Sequence, residues 1–307
     1  MNRFFAGILT SALLLGSTPA ALAQDTSSQA QWEQQIGQQE YQHLRQQGVI
    51  IDNSPYYSIL NPIAARIKRT ADPQYDFPFH FILVHDKSPN AFAVPGGNVY
   101  VTDTMMTFAK SKEELAGVLC HETAHDIHHD VYALAVKQQR TAMIANIADM
   151  ILGGGRNGIA NFLIGLGYNL QNLKFTRTVE HNADYKGAIT CAQAGLNPWG
   201  MVWLFNAFEA HPHGAPPEAL SDHPRDDHRI SDLENEFAAN PSLFGCYNPS
   251  DASATPINSG GFHNQYRSAC STYRQAARPA SSYHRTTTHH SAKPRYKGCT
   301  RNWKYCH

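Results

Sequence analysis

The sequence of 307 residues has no cysteine pair at the CxxC spacing, although it has six cysteines. A cysteine-based zinc site is therefore excluded as the organising feature. It has no net charge, with 25 basic and 25 acidic residues, and charged residues make up only 16% of it. An overall electrostatic attraction to nucleic acid is not expected. No stretch is long and apolar enough for an ordinary membrane span. Between Val118 and Val136 there is neither glycine nor proline. Nothing of either kind breaks a helix there.

The first 23 residues read as a signal peptide. Arg3 gives the positive start, Phe4 to Leu15 the short apolar core, and Ala21-Leu22-Ala23 the small-x-small cleavage pattern. The expected destination is the periplasm, or secretion. Residues 24–245 read as one domain and residues 246–307 as a basic, cysteine-bearing and poorly packed appendage. The charge balance hides that tail: after Ser250 stand nine basic residues and only Asp251 against them. Outside the cytoplasm, Cys299 and Cys306 are expected to pair, then Cys246 and Cys270. Cys120 and Cys191, in apolar helical surroundings, are expected as reduced buried thiols.

Along the chain, residues 30–47 and 55–70 have the periodicity of helices. Residues 78–84, 90–94 and 99–102 read as strands, with a Pro95–Asn98 turn between the last two. These predict a small antiparallel sheet ahead of a helix that carries LAGVLCHETAHDIHHD, Leu115 to Asp130. Residues 178–194 and 199–210 again read as helices. The apolar, glycine-interrupted stretch 142–170 is expected to form two short helices around Gly153–Gly155, a lid over the site. Contact with a membrane surface is the alternative for it.

Two histidines four apart on a helix face the same way. His121 and His125 can thus hold one metal ion, with Glu122 beside them as general base, the HExxH arrangement. His128 is a poor third ligand: seven residues of helix rise roughly 10 Å, against a zinc–nitrogen bond of about 2 Å. Glu180 and Asp184, also four apart, offer two carboxylates from another helix. Glu180 can complete a three-ligand site for one zinc ion, and Asp184 can accept the ring N–H of a ligand histidine. The bland alternative is a solvated acidic face.

With these pieces in hand the sequence resembles the zinc metalloendopeptidases of the CAAX prenyl protease type, in particular their soluble bacterial periplasmic branch. The likeness runs over roughly residues 48–233 and rests on Asn90-Ala-Phe-Ala-Val-Pro-Gly-Gly97, His121-Glu-Thr-Ala-His125, Glu180-His-Asn-Ala-Asp184, Gly195-Leu-Asn-Pro198, and Asp222-His-Pro224 with Arg229. It implies an α+β, mostly helical gluzincin-type fold. It implies His121, His125 and Glu180 as zinc ligands, and Glu122 as the catalytic base. The Asn90–Val94 strand, with Asn90, Ala91 and Phe92, is implied as an edge that pairs with an extended peptide.

The resemblance also sets the Asp222–Arg229 segment beside the metal. His223 and Arg229 are then candidate donors to the oxyanion, and His223 a candidate fourth ligand that plugs the resting site. The family often has a histidine five residues after its second ligand; here that place is Asp130. The expected activity is zinc-dependent hydrolysis of extended or unfolded polypeptides, exported or misfolded envelope proteins among them. A zinc-bound, chaperone-like binding module is the alternative. No nucleic-acid partner is expected. The basic tail is read as solvated, with cell-wall or lipid headgroups as its alternative partners.

Overall fold

The structure is a computed structural model and describes residues 20–138, 175–210 and 228–263. The segment 142–170 expected to form a lid, His223 and the tail cysteines 270, 299 and 306 lie outside the described residues, as do residues 1–19 of the expected signal peptide.

Helix α1 (Ala20–Gln47) leads to α2 (Tyr57–Ala71). The isoleucine spacing read from the sequence puts Ile63 and Ile67 of α2 fully inside the main core. Three strands follow: β1 (His80–Val84), β2 (Ala91–Val94) and β3 (Asn98–Thr102). The sheet is mixed, not wholly antiparallel. β2 and β3 form the expected antiparallel hairpin, but β3 inserts between the other two and runs parallel to β1. The physical reason is the order: a chain that reverses twice brings its third strand back parallel to its first. β2 is left on the outer edge.

The short α3 (Asp103–Phe108) then precedes α4 (Lys112–Ile127), which carries the HExxH residues. Ser111 and Glu114 form a complete capping box at its start, so two of its orphan N–H groups are satisfied reciprocally. Nearly every residue of α4 is buried. The helix is the centre of the domain, with α5 (Arg177–Gln193) and α6 (Trp199–Glu209) crossing it. Helices α7 (Arg229–Ala239) and α8 (Pro241–Phe244) close the far side.

Two expectations are corrected here. Cys120 and Cys191 are not reduced thiols; they form a disulfide that ties α4 to α5, with Cα atoms 5.9 Å apart. Cys246 is also disulfide-bonded, to a partner outside the described residues. The start of the expected appendage is not loosely packed either. Tyr247 and Thr255 are fully buried and Ile257 joins the main core. The described helices include none long and apolar enough to cross a membrane.

Candidate metal centre

His121 and His125 project from one face of α4, and Glu180 from the first turns of α5. Thr176 caps α5 by accepting from the Val179 N–H. The two helices can meet this closely because Gly187 has no side chain. A Cβ there would sit 2.9 Å from the backbone of His121. All three candidate ligands are buried, and the alternative of a solvated acidic face does not describe Glu180 and Asp184, which are 1% and 3% exposed.

The three donor atoms lie within 4.8 Å of one another. The two Nε2 atoms are 3.2 Å apart. Glu180 Oε2 is 3.6 Å from His121 Nε2, and Oε1 is 3.9 Å from His125 Nε2. Tetrahedral zinc with ligands at about 2.0–2.1 Å sets donors roughly 3.4 Å apart, so the observed spacing fits the ion.

The other ring nitrogens fix the tautomers. His121 Nδ1 lies 2.9 Å from Asp184 Oδ1, and His125 Nδ1 lies 2.8 Å from Asp130 Oδ2. A carboxylate can only accept, so each Nδ1 carries the proton and each Nε2 presents a lone pair. Two imidazole lone pairs and a carboxylate then face one another in the interior. That arrangement is self-repelling until a cation sits among them.

Arg229 enters from the first turn of α7. Its Nε and a terminal nitrogen donate to Asp184 at 2.8 and 2.6 Å, and Nη1 reaches Glu180 Oε2 at 3.2 Å. Burial alone would raise the Asp184 carboxyl. The Arg229 guanidinium and the His121 N–H overcome that and hold it far below the usual carboxylate range. Burial, with His125 and Arg229 nearby, pushes His121 down despite Asp184; its neutral form is the one that binds metal. Arg229 packs its guanidinium over the Phe205 ring, 4.4 Å from the centroid. The structure therefore directs it onto the two carboxylates.

Glu122 is buried, and one of its oxygens accepts from the Ala93 N–H at 3.1 Å. That amide points away from β3, toward the centre. The strand residues expected to meet substrate divide accordingly. Asn90 has both backbone groups engaged with Thr102. Phe92, two residues on and opposite Tyr100, turns its backbone the same way. Ala91 and Ala93 face the outer edge.

Sequence reasoning missed Ala93, Asp130 and Phe175. The Phe175 ring stacks on His125 with centroids 4.5 Å apart. A backbone donor leaves no mark in a sequence, and Phe175 lies 50 residues from the ring it covers. Asp130 was visible only as a departure from the family pattern.

The model of "Peptidase family M48" matches residues 57–237, more than half of the chain. A beta-barrel assembly-enhancing protease of Escherichia coli is 26% identical over 213 residues, 66% of this chain and 43% of that protein. The mitochondrial metalloendopeptidase OMA1 of Schizosaccharomyces pombe is 31% identical over 163 residues, 52% and 47% of the two chains. A putative beta-barrel assembly-enhancing protease of Vibrio cholerae is 29% identical over 208 residues, 65% and 43%. The matched stretch is thus less than half the length of these relatives. Sequence motifs, site geometry and the family match lead to one assignment: the chain belongs to peptidase family M48.

Proposed function

We propose that this protein is a zinc-dependent endopeptidase, with one zinc per chain held by His121, His125 and Glu180. The observation that carries the reading is the convergence of those three buried donors, at zinc-like spacing, beside a carboxylate tied to an edge strand. Zinc in such a site lowers the pKa of a bound water and polarises the substrate carbonyl.

The remaining work falls to the chain's own groups. Glu122 takes the proton of the attacking water and returns it to the leaving amine. The Ala93 N–H holds that carboxylate in place. Asp184 fixes the His121 tautomer, and Arg229 holds Asp184 and Glu180 together as a positioning residue. Substrate pairs in extended form with the outward backbone of Ala91 and with the Ala93 carbonyl, the Ala93 N–H being held by Glu122.

The clients suited to an edge strand are polypeptides not yet folded. Two of the relatives are named for β-barrel assembly, and unfolded envelope proteins of that kind are the clients we propose here. Export is supported by the signal-like first 23 residues and by the Cys120–Cys191 disulfide, a bond that persists outside the cytoplasm.

The test compares two variants on unfolded casein. Glu122→Gln should abolish turnover while zinc content by atomic spectroscopy stays near one per chain. Glu180→Ala should lose zinc itself, because a ligand is gone. Near-normal turnover in Glu122→Gln would overturn the assignment.

A further inference from the structure

Helix α4 stops at Ile127 although neither glycine nor proline follows it. The break is made by histidines. His128 N–H still reaches Ala124, His129 N–H turns to Asp126, and His129 adopts φ 56°. Among the described residues it is the one non-glycine with positive φ. A bulky residue in the left-handed region needs its surroundings to hold it there.

The break has a consequence for the metal centre. On an unbroken helix, residues five apart point about 140° away from each other, and Asp130 could not face His125. Through the left-handed turn it does, at 2.8 Å from Nδ1. A new helical run starts at once, with Ala133 N–H bonded to His129 O.

What holds the turn is a helix far upstream, 96 residues away in the sequence. His129 Nδ1 lies 2.7 Å from Glu33 Oε1 of α1. Glu33 is 1% exposed and is itself fixed by the Tyr75 hydroxyl at 2.8 Å and the Gln29 amide at 3.1 Å. Tyr75 in turn accepts from the Gly96 N–H, in the turn that ends the substrate-side strand, and its ring lies 5.4 Å from that of His129.

We propose that His129, pinned by Glu33, is a strut that presents Asp130 to His125, which makes Asp130 a positioning residue for the metal ligand and brings α1 into the metal centre. The inference rests on the zinc assignment above. It also gives a physical account of the departure at this position: the carboxylate reaches the ring only because the turn is left-handed. Asp130 does for His125 what Asp184 does for His121, so both histidines have their Nδ1 protons held and their Nε2 lone pairs aimed inward.

The test measures the zinc dissociation constant of the full chain by competition with a chromophoric chelator, with visible spectra of the cobalt-substituted protein. Asp130→Ala should weaken zinc by about 10–100-fold, the usual loss when such a partner of a ligand is removed, and should shift the cobalt bands. Asp130→Asn still offers an accepting oxygen and should recover most of the loss. His129→Ala, which keeps the backbone strain and loses the pin, should weaken zinc. His129→Gly, free to take positive φ, should recover part of that. In the Asp130→Ala background His129→Ala should add little, because the strut acts through Asp130. Zinc binding by Asp130→Ala within twofold of wild type would overturn the inference, and so would a His129→Ala loss that adds in full to it. A wild-type chain that takes up no zinc would overturn the zinc assignment instead.

Discussion

Glu33 and His129 meet across 2.7 Å with one partner buried and the other about a third exposed. The bond to Glu33 holds His129 above its ordinary value of about 6.5, against the opposing effect of burial, and Asp76 and Asp130 add in the same direction. The folded protein therefore binds this proton more tightly than the unfolded chain. The stabilisation is fully present below the unfolded pKa and is lost as pH rises through the folded one. We predict that the difference in melting temperature between wild type and His129→Gln is largest near about pH 6 and shrinks steadily on the alkaline side. Taking the difference cancels the titration that both proteins share. A difference that stays constant with pH would show that the pair contributes no charge-dependent stability.

Legibility at this scale followed spacing. His121 with His125, and Glu180 with Asp184, could be read because residues four apart on a helix must share a face. Asp130 could not, because its place depends on a turn that no glycine or proline announces. Arg229 was placed near the metal by resemblance. Its binding to Asp184 and Glu180 needed the fold.

At the scale of elements, the centre is a crossing of two helices. Cys120 and Cys191 join α4 and α5, and between the disulfide and the ligands Gly187 lies against His121. Gly187→Ala must part the helices, because the added methyl meets backbone rather than a mobile side-chain end. Overpacking of this kind costs about 1–3 kcal/mol, and here the displacement also moves Glu180 from His121. We expect a lower denaturant midpoint together with weaker zinc binding. If the midpoint fell and zinc affinity did not, the crossing would matter for stability alone. The strands and helices themselves were legible from periodicity. The parallel β1–β3 pairing and the disulfide were not, since each joins segments whose partners local sequence does not specify. The cysteines are 71 residues apart, in helices whose apolar surroundings suit a buried thiol equally well.

The whole molecule ends, in its described part, on a strap that crosses back to the first turn of α4. Glu113 is fully buried, and its carboxylate accepts from the Thr255 N–H at 2.8 Å and the Thr255 hydroxyl at 2.7 Å. Lys112 N–H donates to Thr255 O, and Ile257 N–H to Lys110 O. The Lys112 ammonium holds the Ser259 and Gly261 carbonyls, both at 2.6 Å. Upstream, the Tyr247 hydroxyl donates to Ala192 O at 2.6 Å and the Trp203 indole to Pro249 O at 3.0 Å. The strap thus clamps α4, α5 and α6, the helices that build and support the metal centre.

Cutting the chain after Gly245 removes Tyr247 and Ile257 from the interior and takes the Thr255 N–H and hydroxyl from Glu113. Loss of a large buried aromatic alone costs about 3–5 kcal/mol, and the loss of two donors from a buried carboxylate adds to it. Against a typical total of about 5–15 kcal/mol, that is enough to unfold much of the population or to lower its midpoint sharply. Cutting after His263 keeps the Tyr247, Pro249, Thr255, Ile257, Ser259 and Gly261 contacts in place. Both truncations are compared with the full chain carrying Cys246→Ser, so that the second disulfide is absent throughout. We expect the shorter chain to lose stability and zinc together, and the longer one to stay close to the full chain. Equal midpoints for all three would mean that the strap lies on the domain without supporting it. The clamp on α4 would then come from the capping box and the α5 and α6 crossings alone.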